Sequence, residues 1–176
     1  MRFFRLRWGA RNAVAGLTLV ETMVCVLITA VLVSLGGPAW RDQLQRQRAA
    51  TVRTELTAAM QWARWEAVRR NAPVVLQRRT GCGALLATAH DWDCGWDMQA
   101  ASPGDAPALQ SFVLPPGVRL THPGGGPAME FGRSGIPTLV AHKFVIAPSA
   151  HVTPATTVLC INRTGRVRTV TGAATC

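Results

Sequence analysis

The sequence is poor in acidic residues and in lysine. It has nine Asp and Glu against nineteen Lys and Arg, a formal net charge of +10, and Lys143 is its only lysine. Because the guanidinium group presents a planar fork that matches phosphate oxygens, an excess of arginine favours binding to a polyanion. GC-rich coding alone also favours arginine over lysine, so the composition leaves both explanations open.

Motifs for catalysis and for metal binding are also missing. The segment Gly132-Arg133-Ser134-Gly135 lacks the glycine spacing of a nucleophile elbow, and there is no CxxC pair. The histidines are isolated in loop-like sequence, where exposed histidines are the ordinary case: His90, His122, His142 and His151. We therefore expect no enzyme activity, no cofactor and no metal.

Charge is absent from the nineteen residues between Thr22 and Trp40. As a helix this run would be about 29 Å long, roughly the hydrocarbon thickness of a bilayer. A lone carboxylate, Glu21, stands at its start, where a charge is costly and usually functional. Residues 1–16 contain four arginines and no acid, and such a leader stays in the cytoplasm while the C-terminal part crosses the membrane.

The basic leader, Gly16, the short apolar stretch after it, Glu21 and the membrane-length run together resemble the class III signal of type IV pilins and pseudopilins. The resemblance implies that a prepilin peptidase cuts after Gly16 and methylates Leu17, the new N-terminus, although Leu17 departs from the usual Phe or Met. It also implies that Glu21 pairs with the terminal amine of a neighbouring subunit, and that Pro38 kinks the helix.

Three other interpretations of the apolar run remain open. A secretory signal peptide has an apolar core of about 7–15 residues that ends at small residues, as at Ser34-Leu35-Gly36, but this run is longer and has Glu21 at its start. A plain single-pass anchor is the second interpretation. A buried core helix is the third, although nothing in the run alternates with polar residues.

The rest of the chain is long enough for one globular domain. We expect a leader at residues 1–16, a transmembrane and assembly helix at 17–40, an amphipathic helix at 41–71 and a β-rich domain at 72–176. The amphipathic helix is indicated by a set of residues that recur every three or four positions, as on one face of a helix, and by Asn71-Ala72-Pro73, which ends this pattern. It includes Leu44, Arg48, Val52, Leu56, Ala59, Met60, Ala63 and Ala67.

Short strands between turns rich in Gly and Pro are expected beyond the helix. Their predicted bounds are 74–77, 95–99, 110–114, 129–131, 143–146, 157–162 and 166–169. This order predicts an α+β fold in which a long N-terminal helix packs on a small antiparallel sheet.

Several segments of the domain resemble the FimT and GspH branch of the pilin-like proteins. They are Trp62–Arg70, Pro73–Leu76, Gly95-Trp96, Phe131–Gly135, Thr157–Asn162 and Gly165-Arg166. The resemblance implies a pilin-like fold with other pilins, the prepilin peptidase and the inner membrane as partners. It also implies that the C-terminal domain lies in the periplasm at first and that the protein is later part of a pilus outside the cell.

Four of the five cysteines lie beyond the apolar run, and four cysteines allow three connectivities. Pairing neighbours closes loops of 13 and 17 residues, each worth about 3 kcal/mol. A location across the membrane would preserve such bonds. We expect Cys82–Cys94 and Cys160–Cys176, with Cys25 free in the membrane.

The segment from Arg163 to Arg168 combines a turn glycine with three arginines. Gly165 suits a hairpin turn because it tolerates positive φ. Arg166 and Arg168, two apart on a strand, share a face and stand about 7 Å apart, near the spacing of successive phosphates. The sequence Gly165–Arg168 also matches the GRxR motif of FimT minor pilins that bind DNA during natural transformation. Two arginines on an exposed strand equally serve to keep a sheet edge soluble.

We therefore interpret the chain as a FimT-like minor pilin that binds DNA through Arg163, Gly165, Arg166 and Arg168. The alternative is a GspH-like structural pseudopilin of a type II secretion system, without a nucleic-acid role.

Overall fold

The computed structural model describes residues 18–83, 86–100, 108–138, 141–149, 156–172 and 176. The chain divides into two compact units, Met1–Ala39 and Trp40–Cys176, and each is considered by itself. Gly16 and Leu17, which form the predicted cleavage site, lie outside the described residues.

A single helix, α1, extends from Leu19 to Arg70. Thr18 caps its start, because the Thr18 Oγ1 accepts a hydrogen bond of 3.2 Å from the Glu21 backbone N–H. A threonine followed three residues later by a glutamate is the capping-box sequence, which satisfies amide groups that the first turn cannot pair. Glu21 lies in this first turn, where the helix dipole favours a negative charge.

The part of α1 in the first unit exposes large apolar side chains. They are Leu19, Val20, Met23, Val24, Val26, Leu27, Ile28, Val31, Leu32 and Val33. Within the portion of the chain that the structure describes, no helix combines the length and the apolar character needed to cross a membrane. The single-pass anchor predicted for residues 17–40 is therefore not confirmed.

In the second unit α1 buries one face. Val52, Leu56, Ala59, Met60, Ala63 and Ala67 are all buried, at the spacing that the sequence predicts. Arg48 was wrongly included in this face: it is exposed, and its Nη1 donates to the Pro116 carbonyl at 2.9 Å. The helix ends after Arg70 because Asn71 adopts a φ of +48°, a conformation typical of helix ends.

Eight strands follow α1. They are β1 Val74–Arg78, β2 Trp96–Ala100, β3 Gln110–Phe112, β4 Val118–Thr121, β5 Ala128–Phe131, β6 His142–Pro148, β7 Thr157–Ile161 and β8 Val167–Thr171. Sheet A has the order β3-β2-β1-β5, sheet B has the order β4-β6-β7-β8, and all six pairings are antiparallel.

The α+β class is thus confirmed, with one correction. Two four-stranded sheets replace the single small sheet that was expected. The sequence analysis also missed β4, a strand of only four residues directly after Pro115-Pro116-Gly117. Strands this short give too few alternations for a pattern of period two to stand out.

Both sheets pack with the buried face of α1 around one hydrophobic core. Its largest fully buried side chains are the aromatic groups of Trp92, Trp96, Phe131 and Phe144. Along β6 the burial alternates, so even-numbered residues from His142 to Ile146 face the core and odd-numbered residues face outward.

Two disulfides join the pairs that the spacing suggested. Cys82 binds Cys94 with a Cα–Cα distance of 5.5 Å, and Cys160 binds Cys176 with a Cα–Cα distance of 5.7 Å. The second bond anchors residue 176 to β7. Cys25 is free and exposed.

Candidate nucleic-acid interface

The connection between β7 and β8 is a tight turn that carries the predicted DNA-binding residues. The Gly165 N–H donates to the Asn162 carbonyl at 2.9 Å, and the Asn162 N–H donates to the Arg166 carbonyl at 3.2 Å. The Asn162 Oδ1 accepts three further hydrogen bonds, from the Thr164 N–H, the Thr164 hydroxyl and the Arg166 N–H. Asn162 therefore builds the turn, as Asn side chains commonly do. The sequence analysis missed this role, although an Asn three residues before a turn glycine was a usable signal.

Gly165 is required by two features of this turn. Its φ is +76°, a conformation that other residues rarely adopt. In addition, a Cβ at this position would lie 3.0 Å from the Arg64 Nη1 and 3.3 Å from the Pro137 Cδ. The Arg64 Nη1 donates to the Gly165 carbonyl at 3.2 Å, which holds the turn against α1. Gly165 thus positions the neighbouring arginines.

The three predicted arginines all face solvent. Arg163, Arg166 and Arg168 are exposed, whereas Val167 is partly buried against the core. Arg166 and Arg168 therefore lie on the same outward face, as the alternation of a strand predicts. Because β8 is an edge strand of sheet B, this face is open along the free side of the strand.

Lys143 adds a further cation to this face. Lys143 pairs with Cys160 across β6 and β7, and Cys160 pairs with Arg168 across β7 and β8. Residues directly opposite each other in an antiparallel ladder share a face. We call Lys143, Arg166 and Arg168 the cationic row. The sequence analysis missed Lys143 because nothing local in the sequence shows which strands pair or in what register.

This region of the chain contains no acidic side chain. Residues 131–176 include five Lys and Arg and no Asp or Glu. Among the described residues, the guanidinium groups of Arg163, Arg166 and Arg168 make no hydrogen bond or ion pair. They can therefore bind phosphate oxygens without breaking a contact inside the protein.

Other arginines are already occupied. Arg69 and Arg70 both hydrogen-bond to the buried Glu66, and these hydrogen bonds lower the pKa of the Glu66 carboxyl to about 2. Arg78 donates to two backbone carbonyls, and Arg79 lies 3.6 Å from a carboxylate. A phosphate would have to displace these partners, so this second group of arginines is the weaker candidate site.

The remaining predicted site residues are not part of this turn. Glu21 is at the start of α1, in the other unit, and Cys82 and Cys94 form a disulfide of their own. Cys160 and Cys176 are bonded beside the cationic row.

Comparison with known proteins identifies both a matching family and similar folds. Residues 53–175 match the family described as type II transport protein GspH. The fold is similar to that of the Pseudomonas aeruginosa type IV minor pilin FimU, with 21% identity and a TM-score of 0.56, over 70% of this chain and 93% of FimU. It is also similar to the minor pseudopilin EpsH from the type 2 secretion system of Vibrio cholerae, with 14% identity and a TM-score of 0.53, over 70% of this chain and 97% of EpsH. No curated protein sequence matches the chain.

Two histidines next to this site are buried, which corrects the expectation that they are exposed. His122 has no exposed surface and His142 is 2% exposed. The His122 ring stacks on the Phe144 ring with centroids 4.0 Å apart and on the His142 ring with centroids 5.1 Å apart. These contacts join residues distant in the sequence, so the loop-like local sequence gave no sign of them.

The hydrogen bonds of this pair fit two neutral rings, the form that burial favours. The His122 Nδ1 lies 3.1 Å from the Gly126 carbonyl, so Nδ1 carries the proton and donates. The His122 Nε2 then accepts from the His142 Nδ1 at 2.9 Å. The His142 Nε2 is buried without a partner among the described residues. Burial lowers the pKa of both imidazoles, and lowers that of His122 to about 4.

Acid is therefore expected to destabilise the domain between about pH 6.5 and pH 4. His122 binds a proton near its ordinary pKa of 6.5 when the chain is unfolded, but only near 4 when it is folded. The unfolded state thus binds more protons in this window, and the free energy of unfolding should fall by about 3 kcal/mol as the pH drops through it. Denaturant titrations at several pH values measure this slope. His90→Gln, at an exposed position, should keep the slope, and a flat profile in the parent protein would contradict the prediction.

Proposed function

The chain belongs to the GspH family, and from this premise we propose that it is a minor pilin that binds DNA at the turn between β7 and β8. At the level of class, it is a minor pilin or pseudopilin related to type IV pili and type II secretion systems. The observation that carries the DNA-binding proposal is the outward face of sheet B. There Arg166 and Arg168 are exposed and have no described partner; Arg168 lies on the edge strand β8, and Arg166 directly precedes that strand.

The proposed interaction is electrostatic and independent of sequence. Guanidinium groups about 7 Å apart can contact successive phosphates of one strand. Phosphate contacts carry no base information, so the site should accept any DNA sequence. With two or three contacts the affinity should be weak, in the micromolar range or poorer. The biological role of such binding would be the uptake of DNA in natural transformation.

A structural pseudopilin of a type II secretion system is the second candidate. It is favoured by the family description and by the likeness to EpsH. On that alternative the exposed arginines only keep an edge strand soluble. The two candidates share a fold and a family, and they differ in whether the protein binds DNA.

We further propose that the N-terminal segment directs membrane insertion and assembly. The uncharged run from Thr22 to Trp40 would lie in the inner membrane before assembly, with the domain in the periplasm. The exposed apolar side chains of α1 would then contact other pilins in the filament. The prepilin peptidase would cut after Gly16 and methylate Leu17.

The cleavage is expected to leave Leu17 as the N-terminus of the mature protein, because the basic leader ends at Gly16. Mass spectrometry of protein purified from the host membrane measures this directly, and Gly16→Leu should accumulate as an uncut precursor. A mature chain that still begins at Met1, or one cut near Gly36, would contradict the proposed processing.

Glu21 is expected to be needed for assembly through its charge. Glu21→Gln removes the charge but keeps a polar side chain of the same size, whereas Glu21→Ala removes the side chain; both keep the backbone N–H that Thr18 caps. If the carboxylate pairs with the terminal amine of a neighbour in the apolar filament, both variants should insert into the membrane but enter pili at least about tenfold less often. Immunoblots of membranes measure insertion, and immunoblots of sheared pili measure incorporation. Normal incorporation of Glu21→Gln would show that the charge is not required.

The double variant Arg166→Gln/Arg168→Gln is expected to lose most DNA binding, at least about tenfold in Kd, while keeping its fold. Glutamine removes the charge but leaves a polar strand. The plot of log Kd against log salt for the parent protein should have a slope of magnitude only about 2 to 3, because few phosphates are contacted. Fluorescence anisotropy with labelled duplex DNA measures both quantities, and circular dichroism checks the fold.

The matched control is Arg41→Gln/Arg46→Gln, which removes the same charge from exposed positions on α1. It should leave the affinity within about twofold of the parent. Equal losses in the two double variants would mean that net charge alone causes binding. A parent protein that does not bind DNA at low salt would favour the structural pseudopilin.

A further inference from the structure

A cavity of about 740 Å³ lies beside the cationic row. The ends of β6, β7 and β8 and the turn after His122 surround it, and Lys143, Asn162, Arg166, Arg168, Pro123 and Ile161 are among the residues that line it. Its volume lies in the range of roughly 300–1,000 Å³ that is typical of small-molecule sites. A flat phosphate-binding surface would not need such a hollow.

We propose that this cavity receives one unpaired nucleotide, so that the protein prefers single-stranded DNA and frayed ends to intact duplex. The inference rests on the proposed DNA-binding function and names the form of DNA that the site takes. In a duplex the bases are stacked and paired, so the face of a base cannot enter a pocket. In a single strand the base is free to turn away from its neighbours and enter a pocket.

The lining offers a suitable group for each part of a nucleotide. Arg166 and Arg168 are placed to bind the phosphates, and Pro123, which is exposed, provides apolar surface for the face of a base. The Asn162 Oδ1 is fully used inside the turn, but its amide nitrogen makes no described contact and remains a donor. Every base carries acceptor atoms on its edge, so this donor would not impose a strong sequence preference.

The cavity is also built on rigid elements. Strands β6 and β7 pair along five residues, and β7 and β8 along five. On the other side, Pro123 directly follows His122, whose ring is fixed by stacking on Phe144 and by its hydrogen bond to His142. A preformed site loses little conformational entropy on binding, which favours binding of a single nucleotide.

Ala141 provides a way to fill the cavity without altering a charge. It lines the cavity, is exposed, and lies just before β6, outside the core. Ala141→Leu should reduce the space for a base, and leucine adds no aromatic ring on which a base could stack. Ala58→Leu, at an exposed position on α1, is the matched control.

The test uses the full mature chain in detergent micelles and three labelled probes of equal length. They are an oligothymidine single strand, a blunt duplex, and a relaxed, covalently closed circular duplex that has neither free ends nor unpaired loop nucleotides. The single strand should bind about tenfold more tightly than the closed duplex. Ala141→Leu should weaken single-strand binding about tenfold and leave closed-duplex binding within about twofold, while Ala58→Leu changes neither.

The outcomes separate this inference from the function on which it rests. Equal affinity for the single strand and the closed duplex, with both lost in the Arg166→Gln/Arg168→Gln variant, would overturn the inference and leave the proposed function standing. Equal weakening of both probes by Ala141→Leu would also overturn it. Absence of binding to every probe would overturn the proposed function and the inference together.

Discussion

The close approach of two turns to α1 determines where the arginines of the candidate site lie. The last buried positions of the helix include Ala63 and Ala67, whose small side chains let other elements come near its backbone. A Cβ at Gly135 would lie 3.2 Å from the Arg64 carbonyl, and one at Gly165 would lie 3.0 Å from the Arg64 Nη1. Larger residues at either glycine would push a turn away from the helix. The end of α1 is therefore the surface that fixes the position of the β7–β8 turn, and with it the direction of the cationic row.

The distribution of carboxylates makes this row distinctive. Among the described residues, Glu66, Asp93 and Asp97 form ion pairs with arginines at the helix end, on β4 and beside β1. These pairs occupy cationic groups outside the β7–β8 turn. Within the same described part of the chain, no ion pair involves Arg166 or Arg168, and both side chains face solvent. Release of the cations condensed on DNA, which such arginines replace, is the main source of affinity in weak, non-specific contacts.

Features set by local sequence were predictable, and features set by contacts between distant segments were not. The buried face of α1 and seven of the eight strands follow from residue periodicity and turn residues, which act over a few positions. The outward direction of Arg166 and Arg168 follows from the same alternation. Lys143 lies on the same face as Arg168 only because of the register in which β6, β7 and β8 pair. His122 contacts His142 only because β6 pairs with β4, which His122 directly follows. Neither the position of Lys143 nor the contact between the two histidines can be inferred from the sequence near these residues.

A site as weak as the one proposed would need help from other sites to retain DNA in a filament. One turn with two or three cations holds DNA only briefly, since each contact is exposed and screened by salt. Retention would then require a second contact on the same DNA molecule, because binding at one point raises the effective concentration at the next. The two proposed activities would use different parts of the chain: the exposed apolar stretch of α1 before Trp40 in assembly, and the β7–β8 turn in binding. Assembly would then bring several weak sites to one DNA strand without any change in the turn itself, and the strength of DNA capture would depend on how many such sites the filament presents.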